Sequence, residues 1–147
     1  MFMGLKNRTW RSLVASGTIS SIPNLAHCVF HRMLQALDFL AANEIIHRDV
    51  KPENIRFTSL SHAQYSFQLG DFGLCNRAVS AATSVGSPLY MALEMLQEGD
   101  QTHKADVWSL YVTMVWTMNV EEFRQRSEQF KSIGDAREAI LARRCRC

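Results

Sequence analysis

The chain has 147 residues, which is the length of one domain and is enough to bury about two-thirds of the surface of the unfolded polypeptide. Its 16 lysine and arginine residues nearly balance 14 aspartate and glutamate residues, which argues against nucleic acid or a membrane as the main partner. Four cysteines without metal-binding spacing, apart from a terminal Cys-x-Cys, and no N-terminal leader predict an intracellular protein, cytoplasmic or nuclear. The longest apolar run, near residues 107–118, is too short for a membrane span.

Two helices are predicted in the first third of the sequence. Residues 9–15 can form a short helix that Gly17 ends. A longer helix is predicted from about Pro23 to Asn43, because apolar residues recur there at helical spacing. We interpret them as a stripe that faces the core: Leu25, Val29, Met33, Ala36, Leu37 and Leu40.

The stretch from His47 to Asn54 is unusually polar, with two acids, three basic or potentially basic side chains and an amide in eight residues. Pro52 forbids a regular helix through it, so we expect a fixed loop. The spacing suits transfer of a phosphoryl group. Asp49 can accept a proton from an incoming hydroxyl, Lys51 can stabilise charge on the phosphate, and Asn54 can offer its carbonyl oxygen to a divalent ion.

A hairpin is predicted directly after this loop. Residues 55–57 and 65–69 alternate apolar and polar side chains and flank a polar turn. The hairpin would hold Asn54 and Asp71 on one side, each at an end of a paired strand. Asp71 has glycines one residue before and two residues after it, and it is the second predicted oxygen ligand for magnesium.

Four ordered motifs resemble those of eukaryotic protein kinases. His-Arg-Asp-x-Lys-x-x-Asn at 47–54 resembles the catalytic loop, and Asp-Phe-Gly at 71–73 resembles the magnesium-binding motif. Residues 86–94 resemble the segment that ends the activation loop, and residues 106–110 resemble the start of the central buried helix. Lys51, two positions after the aspartate, together with Gly-Ser-x-x-Tyr, indicates the serine/threonine branch.

The resemblance implies an α+β fold that is mainly α, a kinase-like large lobe with a small β-hairpin that carries the catalytic and magnesium-binding loops. We expect one truncated domain over residues 1–147. Residues 1–8 would be a hinge remnant or an unstructured terminus, 9–118 the core of the lobe and 119–147 a helical tail. Neither Gly-x-Gly-x-x-Gly nor a strand with a Val-Ala-Ile-Lys type lysine is present, so we expect the small lobe to be missing.

Residues 71–94 are rich in Ala, Ser, Thr and Gly without a period, which predicts a mobile loop. By resemblance, Arg48 is the cation that receives a phosphate on this loop and orders it. Thr83 aligns with the usual phosphorylation site, and the alternative is that Thr83 is an ordinary loop residue. The resemblance also implies that Glu94 anchors the end of the loop to an arginine, which we do not identify in the sequence.

Two further roles follow from the resemblance. Ser87 would bridge Asp49 and Lys51, and Asp106 would hydrogen-bond the backbone of the catalytic loop. The helix that follows Asp106 is apolar nearly all round, which predicts a buried helix. Beyond it, residues 121–131 and 135–144 are predicted as amphipathic helices, with a capping pair at positions 135 and 138.

The predicted activity is transfer of the terminal phosphate of ATP to a protein serine or threonine hydroxyl, with Mg²⁺. Asp49 would be the base, Lys51 the charge stabiliser, and Asn54 and Asp71 the metal ligands. Without the small lobe we expect weak or no turnover by this chain. Its partners would be a protein substrate and a complementing kinase lobe or another protein. The alternative is a catalytically silent kinase-fold module that binds or regulates another protein through residues 90–94.

Overall fold

A computed structural model describes residues 8–61, 63–77, 86–96, 101–130 and 132–141. Most of the predicted hinge remnant, residues 1–7, lies outside the described residues, and so do Thr83 and the last six residues of the predicted tail.

The first three helices follow the sequence pattern closely. Helix α1 spans Trp10–Ala15, α2 spans Thr18–Ser21 and α3 spans Leu25–Ala42. Thr9 caps α1 because its hydroxyl accepts the backbone N–H of Ser12 at 3.3 Å. Helix α3 begins two residues later than predicted because Asn24, its N-cap, has a left-handed φ of 61°. None of the helices in the described ranges is long and apolar enough to cross a membrane.

The apolar stripe of α3 forms one wall of the core, as predicted. Five of its six members are buried, and Ala36 is partly buried: Leu25, Val29, Met33, Leu37 and Leu40. Each such side chain contributes about 1.5–3 kcal/mol when it leaves water. The stripe packs against α4, which spans Lys104–Thr117, and against the hairpin. Trp10 closes the core from α1, and its ring packs edge-on against that of Phe67 with the two centroids 5.5 Å apart.

The hairpin is present and longer than predicted. Strand β2 spans Ile55–Ser61 and β3 spans Gln64–Leu69, paired antiparallel with Ile55 opposite Leu69. The outer half of β2 is exposed and mostly polar, so hydropathy alone does not distinguish it from a turn. A second pair was not predicted: β1, Ile45–Ile46, pairs antiparallel with β4, Asn76–Arg77. Strands of two residues carry no detectable period, and this contact is set by the tertiary fold.

Helix α4 is not buried all round, so that prediction is wrong. Val107, Tyr111 and Met118 at the end of α4 are 50%, 44% and 62% exposed. The buried face instead carries hydroxyls, and two of them have hydrogen-bond partners: Ser109 Oγ donates to Tyr90 O at 2.7 Å, and Thr117 Oγ1 accepts from Trp10 Nε1 at 2.8 Å. Burial in this helix is set by which neighbours pack on it and not by its mean hydropathy.

In the tail, the first helix is shorter than predicted, and the second begins two residues earlier than predicted. Helix α5 spans Phe123–Ser127 and α6 spans Ile133–Leu141. Residues 121 and 122 have left-handed φ angles of 49° and 60°, so α5 cannot begin before Phe123. The predicted capping pair of Asp135 and Glu138 is wrong, since Asp135 pairs with Ser132. Asp135 Oδ2 accepts the N–H of Ser132 at 3.0 Å, and Ser132 Oγ accepts the N–H of Asp135 at 3.2 Å.

Candidate active site

The loop from His47 to Asn54 is fixed to α4 by one buried carboxylate. The two oxygens of Asp106, in the first turn of α4, accept the backbone N–H groups of His47 at 2.7 Å and Arg48 at 2.8 Å. Burial raises the pKa of Asp106, and these N–H donors offset part of the rise. Arg48 has a left-handed φ of 70°, which costs a non-glycine residue about 1–2 kcal/mol. Asp106 therefore holds a strained backbone in place.

His47 joins this loop to the turn that carries Asp71. Its ring Nε2 lies 3.0 Å from the carbonyl oxygen of Gly70, and its Nδ1 accepts the backbone N–H of Asp49 at 3.4 Å. A neutral ring with its hydrogen on Nε2 satisfies both contacts. Burial lowers the pKa of His47 more than the nearby carboxylates, Asp49 and Asp71 among them, raise it. The ring of Phe72 packs edge-on at 5.0 Å. Asp49 and Asp71 thus lie on the same side of the molecule.

Asp49 is the centre of a network of short polar contacts. Lys51 Nζ lies 2.7 Å from Asp49 Oδ2 and donates to Ser87 Oγ at 2.7 Å, and Ser87 Oγ donates to Asp49 Oδ1 at 2.9 Å. Asn54 Nδ2 donates to Asp49 Oδ2 at 2.8 Å. Burial alone would raise the pKa of Asp49, but the hydrogen bonds from Lys51 and Ser87 outweigh it and hold the pKa below its usual range. The carboxylate is therefore ionised at neutral pH and aligned by three donors.

The two predicted magnesium ligands lie at the base of the hairpin. The N–H of Gly70 donates to the carbonyl oxygen of Asn54 at 2.8 Å, which places Asp71 beside Asn54 across the strand ends. Since Asn54 turns Nδ2 towards Asp49, its side-chain Oδ1 faces away from that carboxylate. Asp71 is exposed.

This donor set suits Mg²⁺. Within the described ranges, no group of three or more His, Cys, Asp or Glu side chains could form a complete metal cage. Mg²⁺ typically takes only one or two protein oxygens and completes its octahedron with phosphates and water. One amide oxygen and one exposed carboxylate at the hairpin base fit that requirement.

The remaining predicted site residues were expected to order or anchor the activation loop. Arg48, in the catalytic loop, is buried, and its predicted phosphorylated partner, Thr83, lies outside the described residues, so that pairing stays a prediction. Glu94 is half-buried in the 3₁₀ turn Leu93–Leu96. Among the residues that the structure describes, no arginine forms an ion pair with it. Its role as an anchor also stays a prediction.

Gly86 is a site residue that the sequence reasoning missed. Its φ is +126°, and a Cβ atom placed on it would lie 2.5 Å from the backbone oxygen of Arg48. No side chain fits at that distance, so glycine is what lets the next residue, Ser87, reach Asp49. The Gly-Ser-x-x-Tyr pattern includes this glycine, but the pattern was used only to indicate the kinase branch and did not reveal the close approach to Arg48.

We expect Gly86→Ala to destabilise the protein by about 2–3 kcal/mol, from left-handed strain and a backbone clash together. Urea unfolding followed by circular dichroism measures this. Gly17→Ala is the matched control, because Gly17 has a φ of +75° and no atom within 4 Å of its added Cβ. It should lose only about 1 kcal/mol, from left-handed backbone strain alone. Equal losses in the two variants would contradict the proposed contact with Arg48.

A cleft of about 650 Å³ opens beside this network, and we call it the Lys51 cleft. Helix α1 forms one side and is tied to the catalytic loop, since the N–H of Arg11 donates to the carbonyl oxygen of Pro52 at 3.1 Å. The ends of α4 and α5 form another side. Its main lining residues are Arg11, Lys51, Ser87, Tyr90, Trp116 and Arg124. Sequence reasoning did not bring Arg11, Trp116 and Arg124 together, because they lie far apart in the sequence.

Comparison with known proteins agrees with this geometry. The family model for the protein kinase domain matches residues 5–145, nearly the whole chain. The chain is 40% identical over 86 residues to probable serine/threonine-protein kinase nek3 of Dictyostelium discoideum, covering 55% of the chain and 8% of that protein. It is 39% identical over 104 residues to serine/threonine-protein kinase fused of Drosophila melanogaster, covering 68% and 12%.

A third relative is serine/threonine-protein kinase TIO of Arabidopsis thaliana, 43% identical over 88 residues, covering 56% of the chain and 6% of that protein. The chain therefore spans well under two-thirds of the length of each of these relatives. Because the kinase-domain match extends over nearly all of its residues, the chain belongs to the protein kinase family.

Proposed function

We propose that the chain carries the phosphotransfer centre of a serine/threonine protein kinase, which moves the terminal phosphate of ATP to a protein hydroxyl. The observation that supports this most is the network of Lys51, Ser87 and Asn54 around Asp49 at the edge of a cleft. A structural ion pair needs no such convergence of donors on one carboxylate. Kinases use ATP with Mg²⁺, and ATP as a substrate supports an intracellular location, cytoplasmic or nuclear.

Asp49 would orient the attacking hydroxyl and take its proton. The lowered pKa makes Asp49 a weak base, so proton transfer becomes favourable only when the hydroxyl oxygen has begun to bond to phosphorus. Its three donors fix the direction of the free lone pairs before the substrate arrives. Positioning is then the main contribution of this residue, as expected for a reaction with a loose transition state.

Lys51 and the residues at the hairpin base would stabilise the negative charge of the ATP phosphates. The ammonium of Lys51 lies between Asp49 and Ser87, where it can contact an oxygen of the phosphate in transfer. Asn54 and Asp71 would hold Mg²⁺, which neutralises charge on the phosphates of bound ATP. His47 would hold the loop that carries Asp49 and the turn that carries Asp71 in fixed relative positions, because it contacts both Gly70 and Asp49.

In this proposal residues 9–118 are the core of the large lobe, 119–147 its helical tail and 1–8 a hinge remnant. The 147 residues contain no Gly-x-Gly-x-x-Gly segment, so the cover over the phosphates would come from residues outside these 147, such as a complementing kinase lobe or another protein. Turnover by this chain alone would then be weak or absent. The competing hypothesis is a silent kinase-fold module that binds or regulates another protein without transfer.

Magnesium-dependent binding of ATP tests the proposal. We expect the midpoint of thermal unfolding to rise by about 3–5 °C when ATP and Mg²⁺ are about tenfold above the Kd, and not when EDTA is added. Asp71→Asn should remove most of this magnesium dependence. Asp38→Asn, on the exposed face of α3, is the control and should behave as the original chain does. A midpoint that ATP and Mg²⁺ leave unchanged would contradict nucleotide binding by this chain.

A further inference from the structure

Two guanidinium groups lie against the same indole ring in the Lys51 cleft. The Cζ atoms of Arg11 and Arg124 lie 5.4 Å and 5.6 Å from the ring centroid of Trp116. The three residues come from α1, α5 and α4, so the tertiary fold alone brings them together. A cation over an indole face is attracted by the negative face of the ring, which holds each guanidinium against one wall of the cleft.

The two arginines differ in their partners. Arg11 donates to Glu53 Oε1 at 2.7 Å, and the two charges neutralise each other. In the described part of the chain Arg124 forms no ion pair, and its Nε is buried without a hydrogen-bond partner. A buried donor without an acceptor is costly, and an indole face compensates only partly. Arg124 is therefore the position in the cleft at which an anionic group would gain most.

The other charges of the cleft do not satisfy Arg124. Glu53 is paired with Arg11, and Lys51 is paired with Asp49. Glu128 also lines the cleft, but it is exposed to solvent and lies beyond ion-pair distance of the Arg124 guanidinium. An anion that reaches Arg124 would meet a cation and an aromatic wall, with the carboxylates of Glu53 and Glu128 also in the lining of the cleft.

We propose that Arg124 binds an anionic side chain of the protein substrate, a carboxylate or a phosphate, and so sets a preference for acidic sequences near the acceptor hydroxyl. This rests on the proposed function, since it takes the Lys51 cleft as the place where the substrate polypeptide lies. A cleft of about 650 Å³ is on the order of 10 Å across, the span of about three extended residues. The anion would then lie within a few residues of the hydroxyl that faces Asp49.

A series of peptides in which one acidic residue is placed at successive positions tests this. Fluorescent peptides of one serine in an alanine and glycine background would carry glutamate at each offset from five residues before to five residues after the serine. Binding to the chain is followed by anisotropy. We expect glutamate at one or two neighbouring offsets to lower the Kd about 5- to 10-fold relative to the neutral peptide. Phosphoserine and lysine at the best offset then distinguish phosphate from carboxylate and anion from cation.

Variants of α5 assign the preference to one side chain. Arg124→Gln should reduce the preference for the acidic peptide to near unity, and Arg124→Lys should keep part of it because the charge remains. Arg126→Gln is the matched control, an exposed arginine on the same helix outside the cleft lining, and it should keep the full preference. Thermal unfolding of each variant shows whether the fold survives. Rising salt should weaken the preference of the original chain.

The outcomes separate this inference from the proposed function. Acidic peptides bound no better than neutral ones, or a preference that survives Arg124→Gln, would overturn the role of Arg124. If phosphate is transferred equally to all peptides, the inference fails and the proposed function stands. If Arg124 selects acidic peptides and no phosphate is transferred, the recognition site stands and the catalytic proposal fails.

Discussion

Replacing Asp106 with alanine is expected to lower the free energy of unfolding by about 3–5 kcal/mol. The substitution leaves the buried N–H groups of His47 and Arg48 without their acceptors, and hydrogen bonds to a charged group contribute about 1.5–3 kcal/mol each. Part of the loss returns because a buried carboxylate no longer has to be desolvated. Arg48, with its left-handed φ, would then relax and move the catalytic loop.

Urea unfolding followed by circular dichroism measures the effect, with the m-value as a check on two-state behaviour. Asp106→Asn keeps one acceptor oxygen and should lose about half as much. Asp38→Ala, at an exposed position of α3, should change stability by less than about 0.5 kcal/mol. A loss below about 1 kcal/mol for Asp106→Ala would mean that water or another group replaces the carboxylate, and that Asp106 does not hold the loop.

Replacing Asp49 with asparagine is expected to lower the rate of phosphate transfer about 10²- to 10⁴-fold, the usual contribution of a positioned acid or base. The change keeps the size of the side chain and one oxygen for Ser87, but it removes the proton acceptor and the ion pair with Lys51. Transfer of labelled terminal phosphate from ATP to a serine peptide, with Mg²⁺, measures the rate.

Two controls make this result specific. Asp38→Asn should leave the rate unchanged, and thermal unfolding should show that Asp49→Asn remains folded. Equal rates in the original chain and in Asp49→Asn would indicate transfer by a contaminating enzyme. No transfer by the original chain, together with selective binding of a protein or peptide, would support the silent module.

The sequence predicted those parts of the fold where the type and spacing of the residues allow only one local structure. The α3 stripe was predictable because Leu25, Val29, Met33, Leu37 and Leu40 recur at the period of a helix and have no reason to be exposed. Local chemistry also predicted where α1 ends, since glycine permits the left-handed turn after the helix.

Elements that depend on distant neighbours were predicted less well. The exposed side of α4 shows this, because Val107 and Tyr111 are apolar and yet no described element covers them fully. In the tail, Ser132 and not Glu138 pairs with Asp135, since a cap depends on where the backbone leaves helical geometry. The polar ends of the hairpin were assigned to a turn because backbone hydrogen bonds between paired strands do not affect side-chain hydropathy.

The candidate site also contains residues that the sequence predicted and contacts that it did not. Resemblance to kinases gave Asp49, Lys51, Ser87 and Asn54 as one group, and the structure brings the other three side chains within hydrogen-bonding distance of Asp49. It did not give the Arg124 contact with Trp116, because no short motif records it. A contact between residues of separate helices becomes visible only when the packing of those helices is known.

The two bonds from Asp106 also set an order of events during synthesis. They join residues 58 and 59 positions apart, so the ribosome must add and release the start of α4 before the His47–Arg48 backbone can take its final shape. A nascent polypeptide that stops before Asp106 would carry all of Asp49, Lys51, Asn54 and Asp71 without the geometry that aligns them. Pulse-labelled, stalled chains of graded length would show protection of this loop from protease only after α4 has emerged.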